Sequence, residues 1–318
     1  MKKLLLMLPV ALLMFVGCGD SEEARFTMAT GTVAGTYYPL GGAMASVINN
    51  HTDNINVTIT SSGASADNVR QIGLGDAQIA IVQNDVMYYA FTGTSIWSEQ
   101  SPVRNMGTLM SLYPETVHII VHADGGIYSV NDLVGRRVSV GGPGSGVSAN
   151  AAQVLASYGL TTDDFNVFHL GFADSASAMQ DFNLDAFFAT SATPNTAVYE
   201  LARNRDLRLI PISQPAVEWL LDEYPFYVPI TVTSADYTWV TTPIQTVAVQ
   251  ATLIASLDEV SDDAAYEMVR ALIENASEVA EGHARGAYIN MHNAVQSVSV
   301  DFHPGARRFF ESRGITLN

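Results

Sequence analysis

Lysine is nearly absent, since Lys2 and Lys3 are the only two in 318 residues. No G-x-x-x-x-G-K-[S/T] phosphate loop can be written further along the chain, and no lysine is available there for a Schiff base. Cysteine is scarcer still: Cys18 stands alone, which excludes an intramolecular disulfide and a cysteine-built metal cluster. Positive charge is short as well. Without the two N-terminal lysines, 13 arginines face 32 aspartates and glutamates, a net charge of 13 − 32 = −19. A surface of that sign repels the phosphate backbone, so nucleic acid is excluded as a partner. The acidic, lysine-free composition fits a saline habitat and says nothing of function.

The N-terminus carries Lys2 and Lys3, then an apolar run over residues 4–16, then Gly17-Cys18. Thirteen residues are too few to cross a bilayer as a helix. Residues 1–17 instead read as a signal peptide of the lipoprotein type, with Cys18 acylated as the new N-terminus. Phe15 stands where such signals usually have leucine. The other reading is an ordinary secretory signal cut nearby, with Cys18 lost or left as a free thiol. Both place the mature chain outside the cytoplasm, in the periplasm, with a lipid anchor only in the first case.

From Arg25 onward, short apolar runs ("RFTMAT", "INVTIT", "AQIAIVQ", "VHIIVHA", "RRVSVG", "FNVFHL", "LDAFFAT", "LRLIPI") alternate with helical patterns. Such alternation predicts an α/β fold with largely parallel sheets. Three helices are marked by spacing. After Pro39, Leu40, Ala43, Met44, Val47 and Ile48 form one apolar stripe. After Gly144 and Gly146, Val147, Ala151, Val154, Leu155 and Tyr158 repeat it, and Gly159 closes the element. Ser261 before Asp262 and Asp263 starts a third, with Tyr266, Val269, Ile273, Ala276 and Ala280 as its buried stripe. Residues 61–82 and 171–188 also resemble one another: a small polar turn, a helix, then a buried strand. If this is more than α/β grammar, two lobes share one plan.

In such sheets ligands collect where strands end and helices begin. The turns "GTVAGTYYP" (31–39) and "VGGPGSGVS" (140–148) occupy such places, and their glycines let backbone N–H groups approach an anion. Each helix start acts as roughly half a positive charge, so two facing one cleft could hold a carboxylate without arginine. Enzyme signatures are not met. Ser145 has Pro143 and Val147 two residues to either side, so G-x-S-x-G fails; the glycines at 31, 35, 41 and 42 do not give G-x-G-x-x-G. His118 and His122 lie four apart in a strand, about 13 Å from each other, too far to share a metal. His118 is read as a polar strand-end residue or as one hydrogen bond to the cleft. Asp76, Asp85 and Asp185 sit near strand ends without pairing. Tyr37, Tyr38 and "YPFYVP" (224–229) are read as aromatic walls with hydroxyl ends, or as ordinary packing.

Several of these stretches carry a family pattern: "GTYYPLGGAMA" (35–45), "GDAQIAIVQNDVMYYAFTG" (75–93), "SLYPETVHIIVHAD" (111–124), "VNDLVGRRVSVGGPGSGVSANAAQVLASYGL" (130–160), "YPFYVPI" (224–230) and "FHPGARRFF" (302–310). In that order they resemble the TAXI-family solute receptors of TRAP transporters. The chain departs from the pattern at Val33-Ala34, at Gln78 and at Ser62. The resemblance implies a two-lobed periplasmic binding protein fold of type II topology, with residues 24–115 plus 243–318 as lobe 1, 116–242 as lobe 2 and the ligand cleft between them. It also implies a small carboxylate ligand (glutamate, glutamine or 2-oxoglutarate), delivery to a sodium-coupled TRAP permease, no clamping arginine and no catalysis. Carried over residue by residue, Thr36, Tyr37, Tyr38, Ser62, Gly63, Asn68 and Gln83 are expected at the ligand from one side. Gly144, Ser145, Gly146, Val147, Thr190 and Tyr227 are expected from the other. We expect no cofactor, no metal and a monomer. The alternatives are the receptor of an ABC importer or of a sensor kinase, and more remotely a periplasmic serine hydrolase using Ser145 with His118 or His169.

Overall fold

The computed structural model describes residues 23–317, so the signal segment 1–17 and the lipid-anchor residue Cys18 lie outside the described residues. The chain begins with β1 (Ala24–Ala29), α1 (Tyr37–His51), β2 (Ile55–Thr60), α2 (Ser65–Leu74), β3 (Ile79–Gln83), α3 (Asn84–Thr92) and β4 (Met106–His122). It continues through β5 (Arg137–Ser139), α4 (Gly146–Ala156), β6 (Asn166–Phe168), α5 (Phe172–Gln180), β7 (Ala186–Ser191), α6 (Thr196–Ala202), β8 (Leu207–Leu209) and α7 (Gln214–Glu223). β9 (Val228–Val232), β10 (Ile244–Ser256), α8 (Asp262–Glu274), α9 (Ala276–Gly282) and α10 (Pro304–Ser312) complete it. Each of the eight apolar runs read from the sequence contains a strand. β9 and β10 were not among them.

One curled sheet results, in the order β2-β1-β3-β10-β4-β7-β5-β6, with β8 added to β4 and β9 to β10. The expectation of parallel strands holds toward the two edges only. β1 runs parallel to β2 and β3, and β5 parallel to β6 and β7. In the middle β10 is antiparallel to β3 and β4, and β4 is antiparallel to β7. The similarity between residues 61–82 and 171–188 has a topological meaning here. α2 leads into β3, which lies between β1 and β10; α5 leads into β7, which lies between β5 and β4. The two halves thus repeat one plan with β4 and β10 exchanging roles.

β4 and β10 carry 17 and 13 residues, long enough to serve both halves. Their apolar side chains change partners along the way. Leu109, Leu112 and Tyr113 of β4, and Leu253 and Ala255 of β10, pack with Leu40, Met44, Phe309 and Phe310. Val117 and Ile119 of β4, and Val247 and Val249 of β10, pack instead with Val138, Val154 and Leu155. These two core clusters, and two more that take Met106 and Ile254 or Ile120 from the same strands, sit on one sheet and are joined through β4 and β10. Each fully buried aliphatic or aromatic side chain contributes about 2 kcal/mol by removing apolar area from water.

The helix starts follow the residues that predicted them. In α1, Pro39 stands in the first turn, where its missing N–H costs nothing, and Leu40, Met44, Val47 and Ile48 are buried. α4 begins at Gly146 and buries Val147, Ala151, Val154 and Leu155. In α8 the Ser261 hydroxyl accepts the Ala264 N–H at 3.2 Å. The buried face there is Ala265, Met268, Val269 and Leu272, while Tyr266 and Ile273 are only half-buried. Ala276 and Ala280 do not extend that stripe, because the backbone turns at Asn275 (φ −119°, ψ 32°) and they belong to α9.

Candidate ligand-binding site

Two parallel pairs of strands, β1 with β2 and β5 with β6, run in opposite directions in the sheet, and each of the four is followed by a helix whose start lies at one place between the halves. The turns into α1, α2, α4 and α5 line a single cavity of about 250 Å³. Side-chain caps are missing at all four starts: Thr36, Ala64, Ser145 and Gly171 make no cap hydrogen bond. Away from the cavity, α6, α8 and α10 are capped by Asn195, Ser261 and His303. Apart from the Ala66 N–H of α2, which the Gly144 carbonyl accepts, first-turn N–H groups that no side chain has taken can meet an anion, and the helix dipoles add partial positive charge. Among the described residues no Lys, Arg or His lines the cavity, so an anion there would meet backbone N–H groups and neutral side chains only.

The turn into α4 needs two of its glycines. Gly141 has φ of +93°, the region where a side chain is strained. At Gly146 a Cβ would fall inside the envelope of the Gln83 side-chain amide, so β3 and the start of α4 approach only because the residue is glycine.

Of the residues expected at the ligand, Thr36, Tyr37, Gly63 and Gln83 line the cavity from one half, and Ser145, Gly146, Val147 and Thr190 from the other. The remaining five are not on its wall. Tyr38 is half-buried on the neighbouring position of α1. Ser62 donates to Asn68 Oδ1 at 2.5 Å and accepts the Ala64 N–H at 3.0 Å. Asn68 is fully buried and donates to the carbonyls of Thr30 (2.5 Å) and Ile81 (2.7 Å), so it ties β1, β3 and α2 together instead of facing a ligand. Gly144 borders a second hollow with Arg70, Ser148 and Gln153, and its carbonyl accepts the Ala66 N–H at 3.0 Å. Tyr227 is buried with its hydroxyl spent on Asn150 (3.0 Å) and Gln153 (2.5 Å). Asn68→Ala is expected to cost about 2 kcal/mol in urea unfolding, because two buried carbonyls lose their donor. Ligand contacts on the cavity wall should survive that change.

Sequence reading missed the two acidic residues of the wall, Glu115 and Asp174. Glu115, on β4, is 3% exposed and receives the Tyr37 hydroxyl at 2.7 Å and, more weakly, that of Tyr113 at 3.4 Å. Burial pushes its carboxyl up to about 8, against the lowering effect of those hydroxyls. The Tyr37 hydroxyl, expected at the ligand, therefore points at Glu115 while the ring forms cavity wall. Two more polar atoms there have no partner: Gln83 Oε1 and Thr190 Oγ1 are both buried and unbonded. Buried polar atoms left unpaired are rare, and both belong to residues of the cavity wall.

Beside the cavity, Asp85 forms the centre of a buried network. Its carboxylate accepts Val86 N–H (2.8 Å) and Asn150 Nδ2 (2.9 Å), and Gln153 Nε2 donates to the Tyr89 hydroxyl at 2.9 Å. Burial raises Asp85 to about 6. The network joins α3 to α4 and to Tyr227. Asp185 does something plainer: Arg137 binds it at 2.6 Å and holds it below the usual carboxylate range.

The serine and histidines do not assemble. Ser145 Oγ donates to the Gly142 carbonyl at 2.7 Å. His118 is buried with its ring nitrogens near the Ala189 carbonyl (3.3 Å), Thr193 Oγ1 (3.3 Å) and the Tyr237 hydroxyl (3.4 Å), and burial lowers it to about 4. It is a neutral core residue and does not line the cavity. His169 is exposed.

A curled mixed sheet with helices around it, and a cavity where helix starts from both halves meet, define the periplasmic binding protein fold. Solved structures with that fold superpose on the chain. The aliphatic sulphonate binding protein SsuA from Escherichia coli gives a TM-score of 0.53 at 12% identity, over 91% of this chain and 83% of that one. The alkanesulfonate-binding protein SsuA from Xanthomonas axonopodis pv. citri, bound to MOPS, gives 0.51 at 13% identity over 92% and 84%. A putative L-cystine ABC transporter protein from Listeria monocytogenes gives 0.51 at 12% identity over 85% and 98%. In sequence, residues 28–314 match the model of the NMT1-like family. The chain belongs to that family.

Proposed function

We propose that this chain is an extracytoplasmic solute receptor that binds a small carboxylate and delivers it to a membrane permease. The observation that carries the reading is the meeting of four uncapped helix starts at one cavity whose wall has no cationic side chain. Such a site suits an oxyanion bound through backbone N–H groups. The unpaired Gln83 Oε1 and Thr190 Oγ1 add places for polar contacts. The volume, about 250 Å³, suits a metabolite of the size of glutamate or 2-oxoglutarate.

In this reading residues 24–115 with 243–318 form one lobe and 116–242 the other. They close on the ligand about β4 and β10, and the Asp85–Asn150–Tyr227–Gln153 network latches the closed form. The finer family is TAXI and the partner a sodium-coupled TRAP permease, as the sequence resemblance implies. The protein works in the periplasm, with Cys18 as lipid anchor where the signal is of that type. A second reading, the receptor of an ABC importer, is favoured by the names of the superposing proteins.

Purified protein should melt several degrees higher with its carboxylate present, since saturation at about 100 Kd adds about 2.7 kcal/mol. No shift with any member of a panel of small carboxylates and sulfonates overturns the reading. Uptake into vesicles carrying the permease should depend on a sodium gradient; dependence on ATP instead selects the second reading.

A further inference from the structure

The cavity offers more acceptors than an oxyanion can use. Glu115, Gln83 and Thr190 all line it, Glu115 with a buried carboxyl and the other two with side-chain oxygens, Gln83 Oε1 and Thr190 Oγ1, that are buried and unpartnered. Strand register explains why they meet. Glu115 stands opposite Val249 of β10, Gln83 opposite Ala251 of the same strand, and Thr190 opposite Val117 of β4. Glu115 and Val117 are two apart and share a face, so Glu115 and Thr190 do too. Glu115 of β4, Gln83 of β3 and Thr190 of β7 thus lie on one face of the sheet, with β10 between β3 and β4.

A ligand carboxylate pairs with helix N-termini and can accept from the Thr190 hydroxyl, but it has nothing to give Gln83 Oε1 or an ionised Glu115. A keto or ether oxygen is another acceptor and leaves Gln83 Oε1 unpaired. An ammonium brings three donors and the positive charge that a buried carboxylate lacks. Resting on the receptor reading above, we propose that the site selects a carboxylate bearing a primary ammonium, an α-amino acid in preference to the keto or hydroxy acid of the same skeleton. Glu115, with Gln83 and Thr190, is the group that decides it.

The groups facing Glu115 leave this task open. Tyr37 from α1 and Tyr113 from β4 donate one hydroxyl each, and the Gln83 amide lies beside it from β3. Asp85 of α3 adds like charge, which disfavours a second anion. Arg285 acts on Tyr113. Asp174 of α5, on the cavity wall, is a second carboxylate and also favours a cationic ligand group.

Without ligand, Glu115 holds its proton at neutral pH. An ammonium settling against it drives that proton off, so binding releases a proton and tightens by about tenfold per pH unit on approach to pH 8. A keto acid gains nothing from that rise.

The test is a matched panel in which each amino acid is paired with its keto or hydroxy analogue: glutamate with 2-oxoglutarate, aspartate with malate, alanine with pyruvate, leucine with 4-methyl-2-oxopentanoate. Thermal shift finds binders, and calorimetry follows them at pH 6, 7 and 8 in buffers of differing ionisation enthalpy. The expected result is stabilisation by amino members, proton release on binding, and a loss of at least about tenfold in affinity for Glu115→Gln. The proton release is read on the unaltered chain and does not depend on the variant folding. Keto or hydroxy members binding as tightly as their amino partners, or no proton release, overturns the inference and leaves the receptor reading standing. No binding in either column overturns the receptor reading and this inference with it.

Discussion

Gly146→Ala is expected to abolish ligand binding while leaving the unliganded protein folded. The added Cβ would occupy the space of the Gln83 side-chain amide. With its backbone N–H held by the Ser65 hydroxyl at 3.1 Å, the Gln83 side chain can yield only by turning into the cavity it lines, where it takes the ligand's space. Overpacking of this kind costs about 1–3 kcal/mol where neighbours can shift, and more where they cannot. The clash arises only where β3 and the start of α4 approach, which in the two-lobe reading is the closed form. Alanine is also the better helix former, so α4 itself gains. Wild type and variant should therefore melt alike without ligand, and only the wild type should shift with it. Gly42→Ala is the control, since its Cβ would meet the Ile59 Cδ1 at an ordinary 3.6 Å. A Gly146→Ala protein that binds with wild-type affinity would remove the meeting of Gln83 and α4 from the mechanism.

Much of this arrangement was legible in the sequence, because local chemistry specified it. Pro39 and the stripe after it define α1, and Gly146 with the stripe after it defines α4; both helix starts are on the cavity wall. Glycine-rich turns after strands identified where the ligand space would be. The long-range parts were not legible. β10 mixes apolar and polar residues in "IQTVAVQATLIAS", and its role comes from pairing with β3, β4 and β9 at once. Glu115 follows Pro114 in "YPETV", a setting that reads as a turn. It is buried only because β10 pairs alongside it and α1 lays Tyr37 over it. Asn68, expected at the ligand, is spent on backbone carbonyls for a similar reason. A polar side chain near a glycine turn looks alike in sequence whether it faces solvent-filled space or three backbone carbonyls. Tyr227 likewise reads as a pocket aromatic, and only the fold places Asn150 and Gln153 at its hydroxyl.

The protein should lose stability as pH rises from 6.5 to 8, and Glu115→Gln should not. Three buried groups set this. His118 is lowered to about 4 in the folded chain, so above its ordinary value of 6.5 it is neutral folded and unfolded alike. Asp85, raised to about 6, has largely ionised in both forms by the same point. Glu115 alone still differs: its folded value is about 8 and its ordinary value 4.5, so the folded chain holds a proton that the unfolded chain has lost. The sign follows from linkage. Where the native state binds more protons, stability falls with pH, here by about 1.4 kcal/mol per unit, and levels off above 8. Glutamine keeps an acceptor for the Tyr37 hydroxyl and nearly the same volume, but has no proton to lose. Urea unfolding at pH 5, 6.5, 8 and 9 should show the variant gaining on the wild type by about 4 kcal/mol across the series. Asp85→Asn should alter the profile only below about pH 6. Parallel profiles for wild type and Glu115→Gln would mean that Glu115 is ionised in the folded chain, its charge already met without a ligand.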